Sequence, residues 1–511
     1  MASAPPLRRP VRERIIRDPV HGDISVGPLQ CLVVDTVAFQ RLRYIRQTGL
    51  LHFVFPGAVH TRFAHSIGTM WNARRLLDRL FPKSQGPARE YVGECFQVAA
   101  LTHDIGHCAF SHAIEGVSVA NRPLFAAPQR LVEQWSAEDD VSDELKRRWA
   151  VSVASLPATA PHATHEEIGQ LLVEAIFRDD AVLDYCEQRG FDAGCMASDV
   201  RALLSKATPA SQRLDRAFRA LLNDIDERPP QSSDEAHASA DLLALLRSFI
   251  SGTLDVDRLD YLARDSHYTG TCYGRCDSEV LLNGLGVGWS DDGRLRPVLR
   301  ERALDALDDM LWSRFQLFQQ VMNHKTHVLL NAMLSRAVGE AIFDDGVNLK
   351  APRSLGGYVR FTDDLVMSAV FSHCAGGLGK TKAYGQALVH RILPRHLGVV
   401  EREPGQSDAE FDAVVDAMRA ARADSAGISL RSVKVWKAKS EIFKADAPAP
   451  WIRAKDAHGH VPPLAPYASR SRLYKSLQSA RPSPGALALG VCIKAHLYEY
   501  PSDEPSPARG A

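Results

Sequence analysis

The sequence has no surplus of either charge. Lys+Arg is 61 and Asp+Glu is 61 across 511 residues, a formal net charge of zero. Proteins that bind nucleic acid as their main business carry a basic excess, so nucleic acid is not expected as the main ligand. Any anionic ligand must be held by locally clustered charge. Long uncharged apolar runs are also missing. None reaches the ~18 residues needed to cross a bilayer. The first ten residues, rich in Pro, Ala and Arg, lack the apolar stretch of a secretory signal. A cytoplasmic protein with no membrane contact is expected. Cysteine is sparse and unpatterned: nine residues, an odd number, scattered from Cys31 to Cys492. Cys272 and Cys276 lie close, but no second pair follows to close a zinc site. Free thiols in a reducing compartment are the expectation.

What is present is ordinary for a folded chain, with 45% hydrophobic and 24% charged residues. At ~100–200 residues per domain the length allows two to four units, or one large helical core with appendages. The run RIIRDPVHGDISV (14–26) alternates around Pro19 and Gly22 and predicts a short hairpin or extended segment. Helical patterns follow over 28–48 and 64–81. A buried helix is expected within 94–116, ending near Gly106. Residues 117–163 turn rich in Pro, Ala, Ser and charge, with helical pieces at 129–135 and 142–150, and read as an insertion or lid. Thr164 is a plausible N-cap for a helix over 164–177, with Glu166 and Glu167 in its first turn. Residues 205–236 look like a polar linker, and helices return at 237–264. Asp291-Asp292-Gly293 between two short apolar runs signals a hairpin over 284–301. Two amphipathic helices fit 302–321 and 324–343. The expected fold is mainly α, a helical core with short β-hairpins and a smaller α+β C-terminal region. Its divisions are a disordered tail (1–13), a core (14–345, with insertion 117–163), the α+β region (346–500) and a second tail (501–511).

The chemistry concentrates in LTHDIGHCAFSH. His103 and Asp104 are adjacent at the end of an apolar run, and His107 and His112 follow, three His within ten residues. Neighbours on a helix point about 100° apart, so His103 and Asp104 can hold a cation from one corner while other segments complete its shell. Imidazole nitrogen with carboxylate oxygen suits Zn, Fe, Mn or similar ions. His65 shares a face with Phe63, Ile67 and Met70; taken alone it reads as a core histidine. Asp255, Asp257, Asp260 and Asp265 fall within eleven residues, interleaved with Arg258 and Arg264. That is either a solvated acidic face or the mixture a metal-plus-phosphate site requires.

The ordered set DPVHG, FQRLRYIRQTG, VFPGAVHTRFAHS, HDIGH–FSH, DVDRLDYLARD and NHKT resembles the HD-domain deoxynucleoside triphosphate triphosphohydrolases over about residues 14–335. It is similar to the HD domain of the member that joins a SAM domain to it, without that SAM domain. The resemblance implies metal-dependent hydrolysis of a dNTP to deoxynucleoside and inorganic triphosphate, with hydroxide generated at the metal attacking the α-phosphorus. The implied metal ligands are His65, His103, Asp104 and Asp257. They would hold Fe, Mn, Zn or Ni, with Mg or Mn accompanying the triphosphate. His165 is the implied general acid for the leaving 5′ oxygen, oriented by Glu115, which stands where the family has Asp. His107 and His112 would line the phosphate path. Arg62, Arg258 and Arg314 match phosphate contacts, Arg258 replacing a Lys. Gln47, Tyr261 and Asp265 match sugar contacts, and His267 another lining position.

The match is incomplete in three places. Thr48 and Met322 replace the Leu and Tyr that crowd the sugar 2′ carbon, which weakens the inference of deoxynucleotide selectivity. The 117–163 segment is longer than in the family, and a gate, an effector site and surface decoration are all open. Asp35, Gln40 and Arg43 match an activating-nucleotide pocket, and Val54, Phe55, Arg300 and Arg302 are compatible with it. Arg14, Arg17 and Leu281 depart from it, and a structural polar network explains the first three equally well. A homo-oligomer, dimer or tetramer, with a nucleotide activator is the implied assembly. Two rival readings stand: an HD phosphohydrolase for another nucleotide (NTP, monophosphate or cyclic dinucleotide), or a nucleotide- or single-strand-binding regulator with little turnover.

Overall fold

A computed structural model describes residues 12–115, 117–119, 122–138, 141–154, 162–223, 235–290, 292–343, 349–375, 382–403, 406–441, 451–453, 465–473 and 491–499. The expected terminal tails lie almost wholly outside these residues. The described chain is mostly helical, with small sheets at its margins.

The opening hairpin forms as expected: β1 (Arg14–Asp18) pairs antiparallel with β2 (Gly22–Val26). Its turn is tied by Asp18, whose Oδ1 accepts from the backbone N–H of Val20 and His21. The 28–48 stretch is not one helix. Pro28–Asp35 is helical, and Thr36 breaks the run with extended backbone. A single turn, Val37–Gln40, and a 3-10 turn, Arg41–Tyr44, follow. The Thr36 side chain hydrogen-bonds Val33 O and Phe39 N, the local competition by which Thr disfavours a helix interior.

Helix α1 (Arg62–Leu80) and α2 (Pro87–Thr102) pack side by side, and Ile67, Met70, Leu77, Phe96 and Val98 are among the residues they bury in the main core. The second starts earlier than predicted and stops at Thr102, not near Gly106, so His103 and Asp104 sit on its exit turn. Helices α3 (Pro128–Ser136) and α4 (Asp143–Ala154) lie in the insertion and bring Trp135 and Trp149 into the core, ring centroids 5.7 Å apart. Helix α5 (His165–Ile176) begins with the expected cap as a full capping box. Thr164 Oγ1 accepts from Glu167 N (3.3 Å), and Glu167 Oε2 accepts from Thr164 N (2.8 Å).

Helix α6 (Ala193–Leu204) is followed by α7 (Gln212–Leu222), where a linker was predicted. Ser211 caps it, and Leu214, Phe218 and Leu221 form a buried stripe that the surrounding charges mask in sequence. Residues 224–234 lie outside the described set. Helix α8 (Glu235–Ile250) and α9 (Val256–Thr269) are separated by a break at which Asp255 Oδ1 caps α9 by accepting from Arg258 N. Gly270, at φ 69°, ends α9.

Strands β3 (Leu285–Trp289) and β4 (Leu295–Arg300) form the predicted hairpin. Helix α10 (Leu304–Leu317) passes through a π-helical turn, Phe318–Met322, into α11 (Lys325–Phe343).

The chain beyond 350 is tied to this body. Tyr358, Phe361, Val366 and Val370 join the main core, the last two from α12 (Asp363–Ala375). A short strand, Trp451–Arg453, runs parallel to β4. A three-stranded antiparallel sheet places β7 (Val491–Glu499) between β5 (Arg395–Glu401) and β6 (Val433–Glu441). With α13 (Asp408–Ala426) it encloses its own small core of Val400, Phe411, Val415, Val433 and Leu497.

Candidate metal centre and hydrolytic site

One turn from the start of α1, His65 is wholly buried. Its Nδ1 donates to Asp260 Oδ2 at 2.7 Å, which leaves Nε2 to face Asp257 Oδ1 (3.0 Å) and Asp104 Oδ2 (3.6 Å). His103 is set the same way. Its Nδ1 hydrogen-bonds Ala100 O at 2.8 Å, and Nε2 faces Asp104 Oδ1 (3.4 Å) and Asp257 Oδ1 (3.5 Å). Both Nε2 atoms are buried without a hydrogen-bond partner. The ligating atoms of His65, His103 and Asp104 all lie within 4.8 Å of one another. Two imidazoles oriented through Nδ1, with their Nε2 atoms turned on shared carboxylates, make a donor set that fits a divalent cation.

The orientation of His65 is built from three segments. Asp260 also accepts from His21 (2.7 Å) and is gripped by Arg264 through Nε and Nη2, both at 2.9 Å. Arg264 reaches on to Asp18 at 2.8 Å, so the opening hairpin closes the back of the site. Gly68 makes this possible, because a Cβ there would come within 1.8 Å of Asp260 Oδ1.

Cation-free electrostatics fit the same assignment. Burial opposes charge on His65, but the carboxylates of Asp257 and Asp260 prevail and raise its pKa to about 10. Burial is likewise outweighed at Asp257, held well below the carboxylate range by His103 and His65. The same negative surroundings that favour a proton on the His65 ring would favour a cation in its place.

Beside this centre lies a second group. His165, the first residue of α5, sets Nδ1 2.7 Å from Glu115 Oε1, which also accepts from the His165 backbone N–H at 2.7 Å. His112 Nδ1 meets Glu115 Oε2 at 3.0 Å. Burial disfavours the Glu115 anion, but His112 and His165 outweigh it and keep the carboxylate well below its usual range. The ring of His107 stacks on that of His165, centroids 3.7 Å apart at 14°. Burial and then Arg62 push the His107 pKa well down, so this ring is neutral. Gly106 brings the two groups together: a Cβ on it would lie 1.8 Å from His165 O and 2.4 Å from Gly169 N.

Both groups open on a cavity of about 580 Å³, within the range of small-molecule sites. Gln47, Thr48, Arg62, Tyr261 and Asp265 line it beside His103, Asp104, Asp257 and the histidine group, with His65 behind the wall. Arg62 pairs with Asp104 and donates through Nε to Ser111 Oγ at 2.7 Å. Phe110 and Ser111 are consecutive non-glycine residues in the left-handed region, φ 54° and 55°. Such residues cost of order 1–3 kcal/mol each and persist where their surroundings over-determine them. Away from the metal end, Gln47 Oε1, Thr48 Oγ1 and Asn331 Oδ1 are buried without hydrogen-bond partners.

The remaining sequence candidates fall elsewhere. Arg258 is buried and turned back into its own helix start, donating to Thr253 O at 2.6 Å, and does not line the cavity. Helical spacing puts it on a different face from Asp257. Arg314 stands behind the wall, its Nε 3.2 Å from Tyr261 OH. His267 is exposed and outside the lining. No residue of 117–163 lines the cavity among those described. The insertion is docked instead, through Trp149 Nε1 donating to Leu171 O (2.9 Å) and Arg148 pairing with Glu174. Of the activator candidates, Asp35 pairs with Arg14 (2.8 Å), and Arg43 Nε donates to Gln40 Oε1 (2.8 Å). Gln40 donates in turn to Val34 O, while Arg300 and Arg302 are exposed beyond. Leu281 is a core residue. Sequence reasoning gave no role to Asp18, His21 or His60, although all three lie in quoted motifs. His60 Nε2 meets Asp265 Oδ1 at 2.7 Å.

Residues 62–187 match the model of the HD domain. The span contains His65, His103, Asp104, Glu115 and His165, so most of the site falls where the chain is similar to the HD domain. It is related in sequence to deoxynucleoside triphosphate triphosphohydrolases. With the SAMHD1 enzyme of Xenopus laevis it shares 27% identity over 399 residues, 75% of this chain and 56% of that one. With that of Gallus gallus it shares 44% over 335 residues, 64% of this chain and 45% of that one. The chain thus spans about half the length of these curated relatives. A crystal structure of a phosphohydrolase from Bacteroides thetaiotaomicron has the same fold, with TM-score 0.60 and 22% identity, over 95% of this chain and 100% of that one. No helix among the described residues is long and apolar enough to cross a membrane.

Proposed function

We propose that this protein is a metal-dependent triphosphohydrolase that splits a deoxynucleoside triphosphate into deoxynucleoside and inorganic triphosphate. The observation that carries the reading is the convergence of His65, His103, Asp104 and Asp257 beside a Glu115-oriented His165 in one cavity. His65, His103, Asp104 and Asp257 would hold a divalent cation, Fe, Mn, Zn or Ni, which would supply Lewis-acid chemistry for a phosphoryl group and a nearby water. The triphosphate, accompanied by Mg or Mn, runs along Arg62, His107 and His112, with neutral His107 able to donate a hydrogen bond without adding charge. The α-phosphorus lies between the cation end and His165. His165 donates its Nε2 proton to the leaving 5′ oxygen, and Glu115 at Nδ1 stabilises the charged ring and fixes its tautomer. Gln47, Tyr261 and Asp265 face the nucleoside. Relatives named as deoxynucleoside triphosphate triphosphohydrolases support this choice of substrate.

A ribonucleoside triphosphate is the second reading, favoured by Thr48 Oγ1, a buried hydroxyl without a partner in the cavity wall. One experiment tests both: incubation with dGTP and with GTP in the presence of Mn²⁺, with product analysis. Inorganic triphosphate is the expected product. Orthophosphate or pyrophosphate from dGTP overturns the mechanism, and faster release from GTP transfers it to the ribonucleotide. Assembly into dimers or tetramers and activation by a nucleotide near Asp35, Gln40 and Arg43 belong to the same proposal, and light scattering with and without GTP tests them.

A further inference from the structure

The segment His103–Ser111 carries two metal-site residues, His107 and the turn that meets Arg62, yet it has no regular secondary structure. It is held from behind by residues far away in sequence. Arg41 donates to His107 O (2.8 Å) and to Ile105 O, and Tyr358 OH donates to Gly106 O. The Arg41 guanidinium lies 4.7 Å over the Tyr358 ring. At the far end stands Asp363, in the first turn of α12 and 1% exposed. Its Oδ1 accepts from Phe110 N at 2.7 Å and its Oδ2 from Arg46 N at 3.0 Å, with Arg46 Nη1 at 3.6 Å. One carboxylate therefore fixes both the left-handed turn and the strand-like segment before Gln47.

From that carboxylate a continuous chain of contacts leads to the centre. Ser111 Oγ donates to Arg46 O (3.1 Å) and accepts from Arg62 Nε, and Arg62 pairs with Asp104. The links from Ser111 to Asp104 are polar and buried, so a displacement at the Ser111 end has little water to absorb it.

We propose that Asp363 is a positioning residue for the metal end of the cavity, acting through Phe110–Ser111 and Arg62 on Asp104. This rests on the hydrolase reading for its consequence in turnover, but not for its effect on cation geometry. The two are therefore read separately. The test compares full-length wild type, Asp363→Ala, Asp363→Asn and Ser111→Ala, loaded with Co²⁺, whose visible absorption reports ligand arrangement. It adds kcat and KM for dGTP hydrolysis.

Asp363→Ala is expected to change the cobalt spectrum, weaken Co²⁺ binding about tenfold and lower kcat about tenfold, with KM nearly unchanged. Asp363→Asn keeps one acceptor and is expected to recover part of each loss. Ser111→Ala interrupts the same chain and is expected to reproduce the spectral change. The double variant Asp363→Ala/Ser111→Ala is then no worse than the more damaged single one. Should Asp363→Ala not fold, Asp363→Asn and Ser111→Ala decide the matter. A wild-type cobalt spectrum in the Asp363 variants overturns the proposal, even where melting temperature falls, because the carboxylate is then only structural. A spectral change without any dGTP hydrolysis by wild type upholds the positioning role and overturns the hydrolase reading.

Discussion

Cation binding at this centre should release protons, and the structure sets the size of the effect. His65 Nε2 faces Asp257 Oδ1 at 3.0 Å, and without a cation its pKa is raised to about 10 against an ordinary 6.5. A cation must displace that proton. Between pH 6.5 and 8.5 apparent affinity should therefore rise about tenfold per unit, about 100-fold in all. His103 is shifted upward too, so a second proton can only steepen the slope. The assay is calorimetric titration with Mn²⁺ at several pH values, in buffers of different ionisation enthalpy that count the protons released. The same linkage affects stability. A raised histidine pKa stabilises the cation-free fold fully below pH 6.5, and this contribution is lost as pH rises from 6.5 through about 10. The cation-loaded protein should lose none of it. Affinity independent of pH, with no buffer-dependent heat, would refute the assignment of His65 Nε2 as a ligand.

Three further outcomes follow from particular contacts. Glu115→Gln keeps an acceptor for His165 but removes the charge that stabilises the protonated ring. Steady-state triphosphate release should fall about 10²-fold or more, with Mn²⁺ affinity unchanged. Asp260→Ala strands Arg264 in the interior and frees the His65 ring. Chemical denaturation should show a loss of about 3–5 kcal/mol, and metal content after purification should drop. Gly106→Ala forces a methyl to within 1.8 Å of His165 O. Since an ångström of misplacement can cost about 10²-fold, activity should fall by that order while circular dichroism stays helical; unchanged activity would contradict the close packing described.

One corner of the candidate metal centre was legible in sequence, because His103 and Asp104 end an apolar run. His65 and Asp257 joined it only through the resemblance, since alone the first read as a core histidine and the second as one acid among four. The histidine group was legible through resemblance more than spacing, since Glu115 and His165 meet across 50 residues and an insertion. What escaped is what lies behind the ligands. Asp260 read as one of four acids around a helix, yet it is the one that meets His65 Nδ1 and is gripped by Arg264. Arg258 read as a phosphate contact, but helical geometry takes it off the face of Asp257. Asp363 gave no signal at all. Its partners are backbone N–H groups, one of them 253 residues away, and a main-chain donor leaves no trace in residue identity. The α7 stripe was hidden for a different reason: its leucines and Phe218 sit among enough arginines and aspartates to read as solvent-facing.

Gly106 has one more consequence. Where it meets His165 and Gly169, main chain rests on main chain, so the gap between the His103–Asp104 corner and His165 is a property of the backbone that no side-chain exchange on the walls can stretch. Divergence in this cavity is thereby channelled to its other end, around Thr48, Met322 and Asn331. On the proposed hydrolase reading, such a protein can change which nucleoside it accepts without disturbing the distance over which a P–O bond would be broken.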